Sequence, residues 1–475
     1  MEELLKLEAL ARTLEPDASE RGRLIEAAIG YAEDFLVRLP ELPGYVEDDD
    51  RALEALPVPI VREEPDGLTA TLETLWEGID RIGVNEMAGH FFGFIPGPSL
   101  YASAVADYLA TVTNRYAGVY FGSPGAVRLQ RRLLEWLGAH SGYPADAGGD
   151  FTSGGSTANL IAIVTARDAA TTDPAEYSRL TVYVTEHTHH SIHKALRIAG
   201  LGRAPVRTVP VDERFRMDTD SLERQVAADD AAGLRPWLVI GSAGTTDTGS
   251  IDPLADIAEI AERHDLWFHV DGAYGGAFVL CEEGRRRLAG IERSHSLVMD
   301  PHKGMFVPHG TGVVLVKDRS AMARSHGYRG AYMQDADHDE PSPADLSPEL
   351  SRPNRVLRVW LPLRLHGVAP FRAALEEKLT LARLLHQKLT EIPDVEVGPE
   401  PDLSVVTFWC SDDEATRRLH HMLTADGRAF LSSTSIAGRY TLRIAVLNAR
   451  THLEHIERAL DAIRELTLLA LRNQG

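Results

Sequence analysis

From about residue 150 onward, short runs rich in β-branched and aromatic residues alternate with longer runs whose apolar residues recur every three to four positions. The short runs are LTVYVTE (180–186), PWLVIGSAG (236–244), LWFHVDGAY (266–274), SLVMD (296–300) and GVVLVKD (312–318). Helical patterns fill 155–170 and 253–264. Apolar strands separated by helices predict an α/β fold with a mainly parallel sheet covered on both faces. Residues 1 to about 85 read as helices broken by the loop LPGYVEDDD, and PGAVRLQRRLLEWLG (124–138) reads as a helix opening on a proline. Toward the end, 371–390 and 451–472 read as helices, and Leu453, Ile456, Leu460 and Ile463 share one face. The expected organisation is a helical segment over 1–90, a large domain over 91–365 and a small α+β domain over 366–475.

One stretch breaks the alternation. YRGAYMQDADHDEPSPADLSPELSRPN (328–354) is polar, acidic and proline-rich, with no period. Long loops of this kind in compact enzymes are lids or disordered segments. Its small apolar content predicts that 333–350 stays mobile without substrate.

Composition narrows the function classes. The chain has 475 residues, enough for a large core and more than one domain. A formal charge of −21 argues against a nucleic-acid-binding face, which needs clustered Lys and Arg. Cys281 and Cys410, far apart, cannot staple a chain of this size and read as free thiols in a reducing compartment. The acidic, amphipathic start MEELLKLEALARTLEPDASERGRL lacks the basic and apolar parts of a signal peptide, and no run approaches the ~20 apolar residues that cross a bilayer. The expectation is a cytoplasmic protein with no membrane partner.

Four segments carry candidate chemistry. TSGGSTANL (152–160) lies at a strand-to-helix turn, where small residues let backbone N–H groups approach a phosphate; the same residues also start many helices harmlessly. TEHTHHSIHKAL (185–196) holds His187, His189, His190 and His193. His189 and His193 are one helical turn apart, but a third metal ligand at fitting spacing is missing, so no metal is expected. One imidazole there could stack on a flat cofactor; His187 and His193 read as exposed polar residues. In WFHVDGAYGG (267–276) a strand ends in Asp271, where α/β proteins bind ligands, and Gly272 and Ala273 clear space for a ring. In SLVMDPHKGMFVPHGTG (296–312) Lys303 follows a strand in a turn fixed by Pro301, His302, Gly304 and Met305. A partly desolvated lysine so placed is suited to imine formation. Jointly the four describe a phosphate turn, a stacking imidazole, an anion for a pyridine nitrogen and an imine-forming amine, the parts that pyridoxal 5'-phosphate (PLP) requires.

At these motifs, HVDGAY and DPHK above all, with His302 31 positions after Asp271, the sequence resembles the group II PLP-dependent decarboxylases, the family of aromatic-L-amino-acid decarboxylase. The likeness runs from HFFGFIPGPSLYASAVADYLA (90–110) to LRIAVLNARTHLEHI (442–456). It implies a type I PLP-dependent transferase fold, a homodimer and decarboxylation of an L-amino acid, aromatic in this branch, to the amine and carbon dioxide. Carried over by motif, Gly155 and Ser156 bind the phosphate, His189 stacks on the ring, Thr246 lines the site, Asp271 pairs with the pyridinium and Ala273 packs under it. His302 contacts the phosphate region and Lys303 forms the Schiff base. Phe94, Ile95 and Pro96 fall at substrate-pocket positions, and Ser351 at a position that hints at phenolic substrates. Tyr332, in the loop, falls at the position of the tyrosine that protonates Cα. The alternatives are oxidative decarboxylation to an aldehyde, transamination or an acidic or other amino-acid substrate on the same fold. A PLP-retaining binding protein is another. So is a nicotinamide-dependent oxidoreductase, against which the missing Gly-x-Gly-x-x-Gly turn counts.

Overall fold

A computed structural model describes residues 1–327 and 340–472; the fold divides into two units, Met1–Gly89 and His90–Gly475. The first unit is built of the helices Glu2–Ala11, Ala18–Arg38, Asp50–Ala55 and Leu68–Leu75, with a ribbon of β1 (Tyr45–Val46) and β2 (Gly83–Val84). Asp17 and Asp49 cap two of these helices by accepting backbone N–H groups.

The second unit holds a seven-stranded sheet. Its strands are β3 (Gly148–Thr152), β4 (Leu180–Val184), β5 (Val206–Thr208), β6 (Arg235–Ser242), β7 (Trp267–Gly272), β8 (Ser296–Met299) and β9 (Gly312–Val316), in the order β3-β9-β8-β7-β6-β4-β5. Strands β8, β7, β6, β4 and β5 pair in parallel, and β9 is antiparallel to both β8 and β3. The five apolar runs singled out in the sequence are strands β4, β6, β7, β8 and β9. Both faces are buried, which is why these strands read as continuous apolar runs. Val239, Phe268, Val270, Leu297, Val313 and Leu315 face one core, while Leu238, Ile240, Val298, Val314 and Val316 alternate to the other side. On that second side the helix Gly155–Ala170 contributes Ala158, Ile161 and Ala162.

Strand β3 is the strand implied by the strand-to-helix turn at 152–160, but it shows no apolar run of its own because two of its five residues are glycine. The fold requires them. A Cβ at Gly149 would stand 2.9 Å from the Val314 carbonyl oxygen, and one at Gly148 3.0 Å from Arg319 Cα.

A four-stranded antiparallel sheet follows, formed by β10 (Val395–Val397), β11 (Val405–Cys410), β12 (Ser432–Ile436) and β13 (Arg439–Ala445). It has its own core, with Leu385, Phe408, Leu419, Leu442, Ile456 and Ile463 drawn from the sheet and from the helices Ala369–Leu389, Asp413–Asp426 and Leu453–Arg472. Phe92 joins this sheet, donating its N–H to the Phe430 carbonyl and accepting the Ala445 N–H on its own carbonyl.

Residues 328–339, with Tyr332, lie outside the described residues. The rest of the proline-rich stretch is tied to the large sheet. Arg352 is buried and forks onto both oxygens of buried Asp150 at 2.6 Å, with Gln130 completing the cluster. Among the described residues no helix is long and apolar enough to cross a membrane.

Candidate active site

Because β9 is antiparallel to both neighbours, β3 and β8 run the same way, and the carboxyl ends of β3, β4, β6, β7 and β8 share one edge. That edge opens on a cavity of about 410 Å³. Each strand delivers its own part: Ser153–Thr157 after β3, His187 and His189 after β4, Gly244–Thr246 after β6, Asp271 and Ala273 at the end of β7, and Asp300, His302 and Lys303 after β8.

The lysine turn is set by its neighbours. Pro301 opens a short helix, Pro301–Gly304, directly after Asp300. Lys303 Nζ lies 3.0 Å from Asp300 Oδ2. Asp300 is buried, and its Oδ1 has no hydrogen-bond partner among the described residues. A Cβ at Gly304 would come within 2.6 Å of Ala277 Cβ, so only glycine fits there.

The helix Gly155–Ala170 begins after Gly154, whose φ of 148° excludes other residues, and no side chain caps it. Its first amides are therefore left for an anion. A Cβ at Gly155 would stand 2.9 Å from Asp300 Oδ2 and 3.1 Å from Ala273 Cβ, which keeps this turn bare.

Asp271 is buried, accepting Asn159 Nδ2–H on Oδ2 at 3.0 Å and the Ala273 N–H on Oδ1 at 3.1 Å. His189 accepts the Ser191 N–H on Nδ1, with Ser191 Oγ 2.7 Å from the same nitrogen. Burial pushes the His189 imidazole below the usual value, opposed by Asp271, and burial does the same to His302.

Gly155, Ser156, His189, Thr246, Asp271, Ala273, His302 and Lys303 thus all line one cavity. Phe94, Ile95, Pro96 and Ser351 are not among its lining residues. Phe94 and Ser351 are exposed, while Ile95 and Pro96 are buried. The loop that carries Phe94, Ile95 and Pro96 still reaches the site: a Cβ at Gly97 would stand 2.9 Å from the His302 carbonyl oxygen. His187, expected to be exposed, is buried instead. It lines the cavity with its ring edge-on to Phe215 and 3.8 Å from Asp247. His193 is exposed, so it does not converge with His189 on one site. Sequence reasoning missed Asn159, Ser191, His269 and Asp300. The signal was present for His269, a lone imidazole in an apolar strand, which burial obliges to find partners.

The pyridoxal-dependent decarboxylase conserved domain, as a family description, matches residues 60–411. The chain belongs to the pyridoxal-dependent decarboxylase family. An aromatic-L-amino-acid decarboxylase from Bacillus atrophaeus is 33% identical to it, over 79% of this chain and 81% of the relative. The crystal structure of Catharanthus roseus tryptophan decarboxylase in complex with L-tryptophan superposes with a TM-score of 0.89 at 25% identity, covering 96% of this chain and 99% of that one. Oryza sativa TDC with PLP and tryptamine gives 0.90 at 25% identity, covering 95% and 98%. The decarboxylase therefore has the type I fold and depends on PLP. Its cavity fits that cofactor on its own terms: an uncapped helix start suits a phosphate, Asp271 offers a buried anion, Lys303 offers an amine, and a buried oxygen of Asp300 is left to be completed.

Proposed function

We propose that this decarboxylase acts on L-amino acids with aromatic side chains, releasing the amine and carbon dioxide. The observation that carries the reading is the convergence of Lys303, Asp271 and His189 on one cavity at the carboxyl edge of the sheet. The substrate class rests on the relatives, named as aromatic-L-amino-acid and tryptophan decarboxylases.

In this reading Lys303 tethers the cofactor through Nζ, and Asp271 holds a proton at its pyridine nitrogen. Gly155, Ser156 and the first helical amides hold its phosphate, with His302 beside them, while Ala273 and His189 bound the ring and Thr246 lines the wall. Bound there, PLP supplies an electron sink for the bond to the departing carboxylate. Neutral His189 accepts on Nδ1, so its Nε2 carries a proton that this chain can offer at the cavity. A panel of L-amino acids assayed for carbon dioxide and amine release tests the reading. Tryptophan, tyrosine and phenylalanine are expected to exceed glutamate and 2,4-diaminobutyrate in kcat/KM by about tenfold or more. Preference for an acidic or aliphatic substrate overturns the substrate class.

We also propose a cytoplasmic homodimer, with 1–90 supplying contacts. Its support is uncovered apolar surface. Tyr101, Val105, Tyr108, Leu109 and Val112 form an exposed stripe on the helix Tyr101–Thr113. In the first unit the helices Glu2–Ala11 and Ala18–Arg38 bury no residue and expose Leu4, Leu7, Leu24, Ile29 and Val37. Exposed apolar faces of this kind, in each unit taken by itself, are the mark of association surfaces. Light scattering at micromolar concentration should report two chains; a fully active monomer contradicts the assembly.

A further inference from the structure

Strand β7 places Trp267, His269 and Asp271 on one face, because its side chains alternate. Asn159, on the helix Gly155–Ala170 that packs over this face, meets two of them. Its Nδ2 lies 3.0 Å from Asp271 Oδ2 and 3.0 Å from Ser191 Oγ, and its Oδ1 lies 2.9 Å from His269 Nε2. His269 Nδ1 is 2.8 Å from Ser296 Oγ, which takes the Trp267 indole N–H at 2.9 Å. Asn159, His269, Ser296 and Ser191 are all buried.

We propose that His269 is a positioning residue: by donating Nε2–H to Asn159 Oδ1 it fixes the Asn159 amide so that Nδ2 faces Asp271 and Ser191, and so sets the donors that hold Asp271 and, through Ser191, the ring of His189. This rests on the reading of Asp271 as the partner of the cofactor's nitrogen. The polarity of the chain follows from its ends. An indole N–H only donates, and an aspartate carboxylate only accepts. Between them each group takes a hydrogen bond from the one before and gives one to the next: Trp267 to Ser296, Ser296 to His269, His269 to Asn159, Asn159 to Asp271. The branch through Ser191 runs the same way and ends on His189 Nδ1. Turning the Asn159 amide over would set its oxygen against the carboxylate. In a site without bulk water such a mismatch is costly, and His269 removes it. Burial pushes His269 down to about 4, so at neutral pH the ring has one donor and one acceptor, as the chain needs.

The test uses His269→Leu and His269→Gln in the holoenzyme, each alone and combined with Asp271→Asn. Three quantities are read: the dissociation constant for PLP, the pH midpoint of the bound cofactor's visible absorbance, and kcat and KM separately. His269→Leu is expected to weaken PLP binding and lower kcat by roughly tenfold each, with KM little changed, and to shift the absorbance midpoint. Gln, which can place an amide donor near the Nε2 position, should recover most of this. In the Asp271→Asn background His269→Leu should add no more than about threefold, the part that acts through Ser191 on His189, because the rest acts through Asp271. Equal losses in both backgrounds, or an unchanged spectrum and PLP affinity in His269→Leu, overturn the proposal. Asp271→Asn behaving as the parent enzyme overturns instead the role of Asp271. The tautomer is read in the unaltered protein by ¹⁵N-histidine NMR, the signals assigned through His269→Gln. A proton on Nε2 is expected, and one on Nδ1 overturns the proposal even if the leucine variant fails to fold.

Discussion

Replacing Lys303 by alanine is expected to lower kcat/KM by roughly four orders of magnitude or more, the scale of losing a covalent catalytic group. It should also abolish the borohydride-fixed pyridoxyl adduct. The sequence holds six lysines, and of these Lys303 lines the cavity. Lys194, in the histidine segment, is exposed on the helix His190–Ile198. Lys378 is fully buried against Glu377 and the Thr451 carbonyl in the small domain. The substitution has a second effect. Asp300 is buried, and Lys303 is its cation at 3.0 Å. Removing one partner of a buried pair leaves an uncompensated charge, costing as much as about 3–5 kcal/mol where burial is complete. Here the lysine side chain is 22% exposed, so a smaller loss is expected. Circular dichroism should therefore show a native fold with a lowered denaturation midpoint. Peptide mass spectrometry after borohydride decides the assignment: an adduct on Lys194 or any other lysine in the parent enzyme removes Lys303 from its role.

What was legible in the sequence follows from where burial and chemistry coincide. Strands β4, β6, β7, β8 and β9 announce themselves because both their faces are buried, which leaves runs such as GVVLV. The candidate residues stand at the ends of those runs, so it was legible from pattern alone that Asp271 and Lys303 lie at the carboxyl edge of the sheet. Two kinds of residue escaped. Strand β3 was implied only by the turn that follows it, since its own residues carry glycines where its neighbours approach too closely for a Cβ. Asn159 sits among alanines and isoleucines of a helix whose apolar pattern is otherwise continuous, and only the fold shows that this position faces Asp271. His187 was misplaced for a related reason. Its burial depends on Phe215 and Asp247, remote segments that no local pattern brings together.

Asp271→Asn is expected to cost about a hundredfold or more in kcat/KM while PLP remains bound. The carboxylate receives one N–H on each oxygen, from Asn159 and from Ala273. An amide has a single oxygen. Whichever way the introduced amide turns, one of those donors loses its acceptor and faces an NH₂ group instead. That mismatch alone carries a stability cost of about 1–3 kcal/mol. The larger effect is electrostatic. With PLP bound as proposed, the carboxylate would stabilise a proton at the pyridine nitrogen by a charge-assisted bond, roughly twice as strong as a neutral one. Removing one preorganised electrostatic partner costs enzymes about 10²–10³ in rate. The two effects separate cleanly: the first appears in the denaturation midpoint, the second in kcat at saturating PLP. Asp271→Glu keeps the charge but moves it by a methylene, so it should retain more activity than the asparagine variant if charge is what matters. Turnover by Asp271→Asn within a few-fold of the parent enzyme, at full PLP occupancy, would show that the carboxylate only caps the turn at Ala273.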